Sequence, residues 1–469
     1  MNLHEGRGLV FNEGERVEGY SNFLYVVIMS VVFNFVDKNG VYLCSVSLNM
    51  IFILVAVLLF FKYVQRQLGD KYATGAGLLF ALCPAVWLSV ASGMETSLVV
   101  LIQILVWVAV ERCAEDPNNQ RILALCGASA LSLFVRADGF ILPMIAVLYL
   151  VLRGRKRAAI VCGVSVIIAL GLYLVWRHDY YGYLLPNTYY AKVSGPITDR
   201  LQHGVRRLGG IALNEGLLPY LIAFGFATFA LFQAILRRWW HAVREPSFAT
   251  VFGLCWLAYW VYIGGDCFRE RFLIIIFPMG IYLFLAHVGR ALPRKALLFC
   301  LILLAMLQLT PLATDSRFGY TLTRYDRWVT LGRFLSQHHP SSRLAIDAAG
   351  KVPFFSGLHT LDMLGLNDPV LAHKSVQTFN VPGHNKFDAD YVLSMNPDLI
   401  AAWVKRDTDL QCGLTAEKYE AHGYSLRYLV NSRMTPADTN IIDVHGVNEN
   451  RISGFIRRGY DYAVIEKLE

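Results

Sequence analysis

The chain has 469 residues, of which 55% are hydrophobic and only 17% charged, with a net charge of +8 and a mean hydropathy of +0.43. A soluble globular chain carries about a quarter charged residues, so composition excludes an ordinary soluble enzyme over most of the length. The basic excess sits at the ends of apolar runs and forms no stripe with interleaved aromatics, which excludes a nucleic-acid-binding surface.

In chain order, residues 1–21 are polar and glycine-rich, without the apolar core of a cleavable signal peptide. Glu13, Glu15, Arg16 and Glu18 stand just before a short apolar run at 22–36. That run is too short to cross a bilayer comfortably and reads as an interfacial or re-entrant helix. About ten apolar runs then satisfy the length of a spanning helix: 41–61, 73–91, 96–110, 121–135, 139–152, 158–176, 217–236, 250–263, 272–288 and 296–313. From 315 onward the charge balance becomes that of a soluble chain. Short β-type runs at 344–347, 398–403, 424–429 and 463–465 predict a small α/β domain. The expected fold is thus an all-α polytopic membrane bundle followed by a small α/β soluble domain. Its segments would be an outer loop and interfacial stretch at 1–40, a transmembrane domain at 41–314 with a long loop at 177–216, and the α/β domain at 315–469.

Basic clusters at Lys62, Arg66 and Lys71, at Arg153, Arg155, Lys156 and Arg157, at Arg237, Arg238, His241 and Arg244, and at Arg290, Arg294 and Lys295 fall on alternate loops. The positive-inside rule makes those loops cytoplasmic. The loops around Glu95, Asp138, Lys192 and Asp266, and the C-terminal domain, would then share the opposite face. Most of the nine cysteines lie inside apolar runs; Cys267 and Cys412 are the two that could meet outside the membrane. No CxxC pair or zinc spacing occurs, and no cofactor or metal ligand set is indicated.

The informative polar residues lie in those outer loops. Gly264-Gly265-Asp266 with Arg269 and Arg271 follows an aromatic-rich span. Arginine binds phosphate bidentately, so this group suits a lipid phosphate; the alternative is an interfacial cluster of snorkelling arginines. In the long loop, Asn187, Tyr189, Tyr190 and Lys192 could hydrogen-bond and stack on a sugar and neutralise phosphate, or be surface anchors. Glu95 reads either as a charge at a helix N-terminus or as a catalytic carboxylate. Arg136-Ala137-Asp138 reads as a local salt bridge. Glu15 could act as a general base and Arg16 hold a donor, or both could belong to a solvated acidic loop. Asp347-Ala348-Ala349-Gly350 and the stretch from Leu361 to Asp368 read first as turns that cap strands.

Together these strings resemble the GT-C class of membrane glycosyltransferases, and within it the family of the mycobacterial terminal β-(1→2)-arabinofuranosyltransferase. The matching strings are Asn2-Leu3 with Gly6 and Gly8; Val10, Asn12 and Gly14 to Glu18; Ser92 to Glu95; Arg136 to Asp138; Tyr181-Gly182 through Lys192; Gly264 to Asp266 with Arg271; and Asp362 with Gly365 to Asp368. The resemblance implies an inverting transfer from a polyprenyl-phosphate sugar to a glycan, lipid or protein acceptor. It would occur on the outer face of the cytoplasmic (inner) membrane, with the C-terminal domain periplasmic. Asp266, Glu95 and Glu15 are the expected catalytic residues; Arg16, Asn187, Tyr189, Lys192, Arg269 and Arg271 are the expected substrate-binding ones. Relatives carry a first transmembrane helix and an Asp-Asp pair upstream of the Asn-Leu string, which this chain, starting at Met1, does not show. The expectation is a misassigned start or a truncated gene. The rival readings are a lipid-linked-sugar flippase or transporter, which would place charges mid-membrane, and an inactive membrane scaffold.

Overall fold

The computed structural model describes residues 1–236, 247–268, 271–314, 326–376, 381–431 and 440–468. The basic loop 237–246 and Arg269 lie outside the described residues. The chain divides into two compact units: a helical unit, Ser21–Leu185 with Pro196–Phe318, and a sheet unit, Met1–Tyr20 with Pro186–Gly195 and Gly319–Glu469.

In the helical unit, five helices among the described residues are long and apolar enough to cross a membrane: Val41–Leu68, Thr96–Glu115, Lys156–Tyr181, Arg271–Ala291 and Arg294–Ala313. Two bent pairs raise this to as many as seven. Asp70–Ala81 and Pro84–Ala91 meet at 47°, because Pro84 restricts Cys83 to an extended backbone and starts the next helix. Ile197–Asn214 and Leu218–Ala230 meet at 116° around Gly216, whose φ of +68° suits glycine. The runs read from the sequence at 121–135, 139–152 and 250–263 form the shorter apolar helices Asn119–Val135, Ile141–Leu152 and Phe248–Tyr262. The run at 22–36 forms Phe23–Val32, whose 10 residues reach about 15 Å, half the hydrocarbon thickness.

Packing separates inner from outer helices. Phe60, Tyr63, Trp107 and Tyr282 form a buried aromatic cluster with ring centroids 4.7–5.9 Å apart. The Lys156–Tyr181 helix instead exposes Ile160, Val164, Ile167, Leu172 and Val175. A continuous apolar surface of that kind is stable against hydrocarbon rather than water. The chain is a multi-pass membrane protein. All nine cysteines are free thiols.

The sheet unit contains β1 (Leu344–Ile346), β2 (Thr360–Asp362), β3 (Leu399–Arg406), β4 (Asp409–Leu410), β5 (Tyr424–Val430), β6 (Ile441–Asp443) and β7 (Tyr462–Lys467). Their order is β2-β1-β3-β7-β5-β6, with β4 paired to β3. β1 pairs parallel with β2 and β3, and the remaining pairs are antiparallel. Period-two alternation divides the core between the two faces. Ile400, Ala402, Ala463 and Ile465 pack in one layer; Leu399, Ala401, Tyr462 and Val464 pack in the other. The four predicted strands appear as β1, β3, β5 and β7. β2 and β6 have three residues each and β4 two, too short to show periodicity.

Candidate active site

The helical unit gathers three turns. In the first, Gly93 adopts φ +68° and its carbonyl accepts hydrogen bonds from Tyr25 and Ser45. The Met94 carbonyl accepts from Asn49. This fixes Glu95, 4% exposed, at the start of Thr96–Glu115. In the second, Arg136 and Asp138 flank a turn closed by Gly139, where a Cβ would lie 1.8 Å from the Ser132 carbonyl oxygen. In the third, Gly264 and Gly265 both take positive φ, +84° and +81°, so the chain reverses tightly. That reversal places Asp266, 2% exposed, beside Arg271.

The charges form an alternating series. Arg136 grips Asp138 through two bonds, Nε to Oδ1 at 2.8 Å and Nη2 to Oδ2 at 3.0 Å. Its Nη1 lies 3.3 Å from Glu95 Oε1. Glu95 Oε1 lies 4.0 Å from Arg271 Nη1, and Arg271 Nε donates to Asp266 Oδ2 at 2.9 Å. Asn22 donates to Glu95 Oε2 at 3.0 Å, and Tyr259 donates its hydroxyl to Asp138 at 2.9 Å. The Phe272 ring lies 3.7 Å from Arg136 and 4.8 Å from Arg271 at its centroid. Each arginine therefore has a cation–π partner as well as carboxylates. Three carboxylates against two guanidiniums leave the group at −3 + 2 = −1 when all are ionised. Pairing of this quality is what makes buried charge tolerable, and removal of one partner is costly. Among the described residues Nη2 of Arg271 donates no hydrogen bond to a carboxylate.

In the sheet unit the N-terminal segment is held to the sheet edge. Asn12 donates to the Thr360 carbonyl at 2.9 Å and accepts from the Thr360 amide at 3.0 Å. Its side-chain amide thus pairs with edge strand β2 as a neighbouring strand would. Glu15 accepts from Asn12 at 2.8 Å and meets His359 Nε2 at 3.1 Å. Asn187, at the start of the Asn187–Lys192 helix, donates to the Gly365 and Leu366 carbonyls at 2.9 and 3.1 Å. Tyr190 packs against His373 with the rings tilted by 33° and their centroids 4.3 Å apart. The Asp362 carboxylate, ending β2, accepts from the Leu364 and Asn367 amides and from the Asn367 side chain. Burial pushes its carboxyl above the usual range despite those bonds.

A cleft of about 340 Å³ opens beside this edge, its polar lining given by Glu15, Arg16, Arg343, His359, Asp368 and Tyr391. Tyr391 donates to Asp368 at 2.9 Å. Its phenol is pushed up to about 12, by burial and by the Asp368 carboxylate.

The structure therefore joins Glu95, Asp266 and Arg271 in one ion cluster. It places Glu15, Arg16, Asn187, Tyr189 and Lys192 in the sheet unit, where Asn187 serves backbone carbonyls and Tyr189 is exposed. Arg136 and Asp138 are the local pair the spacing suggests, and they are also part of the larger cluster. His359 and Tyr391, and on the helical side Asn22 and Tyr259, carry no motif that marks them in the sequence; Asn12 belongs to one of the resembling strings, but its pairing with Thr360 is not readable there. Among the described residues no group of three or more His, Cys, Asp or Glu is arranged to hold a metal.

The fold has a solved counterpart. ArnT from Cupriavidus metallidurans, in its crystal structure bound to undecaprenyl phosphate, superposes with a TM-score of 0.54 over 98% of this chain and 92% of its own, at 14% identity. The chain has an ArnT-like GT-C fold. The apo state of the same ArnT gives 0.49 over 98% and 91%, at 12% identity. In sequence the chain is 23% identical over 332 residues to the terminal β-(1→2)-arabinofuranosyltransferase of Mycobacterium tuberculosis, covering 63% of this chain and 52% of that protein. It spans about half the length of that curated relative. Within the GT-C fold, residues 319–439 match a family model described as a domain of unknown function, DUF8728.

Proposed function

We propose that this chain is a membrane glycosyltransferase that moves a sugar from a polyprenyl-phosphate donor to a glycan, lipid or protein acceptor on the outer face of the cytoplasmic membrane. The observation that carries this reading is the convergence of three loops on the Asp138–Arg136–Glu95–Arg271–Asp266 series within a GT-C fold. The undecaprenyl phosphate bound to ArnT supports a lipid phosphate as the leaving group.

The acceptor hydroxyl attacks the anomeric carbon, the bond from that carbon to the phosphate oxygen breaks, and the lipid phosphate departs with the electron pair. A carboxylate takes the hydroxyl proton. Arg271 stabilises the charge growing on the phosphate. Asp266 and Glu95 act through Arg271 by fixing its guanidinium, which makes them positioning residues. Arg16 and Lys192 add positive charge, Arg269 is assigned with them, and Tyr189 offers a stacking face for sugar. Asn187 orients the Gly365–Leu366 turn. The multi-pass unit lies in the inner membrane in this reading, with the C-terminal domain periplasmic. Purified protein in lipid nanodiscs, given polyprenyl-phosphate-linked sugars, should release polyprenyl phosphate, and Arg271→Ala should abolish release while the protein stays folded. Equal turnover by the variant removes Arg271 from the site.

A further inference from the structure

The Ile197–Asn214 helix buries the wrong face for an amphipathic helix in water. Ile197, Leu201 and Val205 are 49%, 39% and 60% exposed. The inward stripe is Arg200, His203, Gly204, Arg207 and Ile211, the i, i+3, i+4 and i+7 spacing of one helical face. Gly204 permits the close approach: a Cβ there would lie 2.5 Å from the Val261 carbonyl oxygen.

Two of the inward basic side chains are explained by that contact. His203 Nδ1 meets the Gly264 carbonyl at 2.7 Å. Arg207 Nη2 donates to the Asp266 and Cys267 carbonyls at 2.8 and 3.2 Å. Both cover backbone oxygens just past the C-terminus of Phe248–Tyr262, where carbonyls lack helical partners. Arg200 is different. It is 9% exposed, its Nε and Nη1 are buried with no hydrogen-bond partner, and the Tyr262 ring lies 5.0 Å from its guanidinium carbon. Among the described residues no carboxylate pairs with it. A guanidinium with two of its three nitrogens kept out of water and no counter-charge is unfavourable, and a passive membrane anchor would sit on the outward face. Arg271, by contrast, already has Asp266 and lies near Glu95.

We infer that Arg200, backed by Arg207 and His203, forms an anion site that takes a phosphate group. Its planar fork matches two phosphate oxygens, and the Tyr262 face holds the fork in place. This deepens the glycosyltransferase reading and rests on it only for the identity of the phosphate carrier. The group could be borne on a polyprenyl chain, on an ordinary phospholipid or free in solution, and the three are separable by experiment.

The full chain in phosphatidylcholine nanodiscs is titrated separately with polyprenyl phosphate, with phosphatidylglycerol incorporated into the disc, and with inorganic phosphate. Thermal stability is recorded in parallel. Polyprenyl phosphate should bind, and Arg200→Met should weaken that binding about 10- to 100-fold while raising the melting temperature of the unliganded protein, because an unpaired buried charge is gone. Arg200→Lys should lose less. Binding carried equally by phosphatidylglycerol or by inorganic phosphate, and equally sensitive to Arg200, keeps the site and reassigns its carrier. Unchanged binding in Arg200→Met overturns the inference while leaving the glycosyltransferase reading standing. A fall in melting temperature without ligand marks Arg200 as structural and also overturns it. Failure of the wild type to bind any of the three ends the inference outright.

Discussion

Arg271 donates its Nε to the Asp266 carboxylate at 2.9 Å, and the two are brought together by a turn that only a pair of positive-φ glycines allows. The Asp266 carboxylate is 3% exposed and the Arg271 side chain 11%, so the pair is a buried one. Replacing Asp266 with Asn keeps the shape and removes the charge. We expect transfer to fall by about a hundredfold, the scale of misplacing a group that acts in the transition state, because Arg271 is no longer held by Asp266. Arg271→Lys should not restore activity to a folded protein, since an ammonium lacks the fork that reaches both carboxylates. Steady-state rates for the two variants test this, and wild-type rates in either contradict it.

The glycine pair gives a prediction on stability. Gly265 sits at φ +81° with Trp260 3.1 Å from where a Cβ would be. Gly265→Ala should therefore cost about 1–2 kcal/mol from backbone strain alone. Gly127, where a Cβ meets nothing within 4 Å, should tolerate Ala with no loss. Comparing the two melting temperatures in detergent separates them.

Asp347 follows β1 and is 9% exposed. It accepts from the Tyr462 hydroxyl at 2.7 Å and the Trp403 amide at 3.2 Å, yet burial pushes its carboxyl up to about 6. The folded state thus binds a proton that the unfolded chain releases at a lower pH, near the ordinary value of 3.8. Stability from this group is complete below about pH 4 and is lost as pH rises through about 6, a change of about 3 kcal/mol. In Asp347→Asn this contribution to the pH dependence of the melting temperature should disappear. An unaltered profile would refute the assignment.

Asn12 ties the N-terminal segment to β2 by two bonds to Thr360. Asn12→Ala should cost about 1–3 kcal/mol locally and speed hydrogen exchange at the Thr360 amide. The Leu344 amide, bonded to the His359 carbonyl in the adjoining ladder, should change less. Exchange measured residue by residue by mass spectrometry decides this.

Much of the fold was legible because hydrophobic patterning reports which surfaces avoid water, whether against protein or lipid. Long runs such as Val41–Leu68 and short β-type apolar runs such as the one within Tyr462–Lys467 appear where composition places them. The bend at Cys83–Pro84 was less readable, because apolar content is continuous across it and only a local backbone constraint breaks the helix; the Ile197–Asn214 helix lies in the stretch read as a long loop, where its charged residues hide it. Motif spacing found Glu95, Asp266 and Arg271, since charge is conspicuous in an apolar chain. It missed Tyr259 and Asn22, neutral groups whose importance comes from a partner distant in sequence, Asp138 and Glu95. Arg200 was hidden among the basic residues of a long loop. Only the burial of its face sets it apart from Arg206, which is exposed.

The most direct test of the account is single-turnover release of polyprenyl phosphate from a polyprenyl-phosphate-linked sugar by the purified full chain in nanodiscs. The measurement is made with a panel of donors and acceptors and repeated with Arg271→Ala. The account predicts release by the wild type with at least one donor and none above background by the variant. No release by the wild type across the panel, or equal release by the variant, would contradict it.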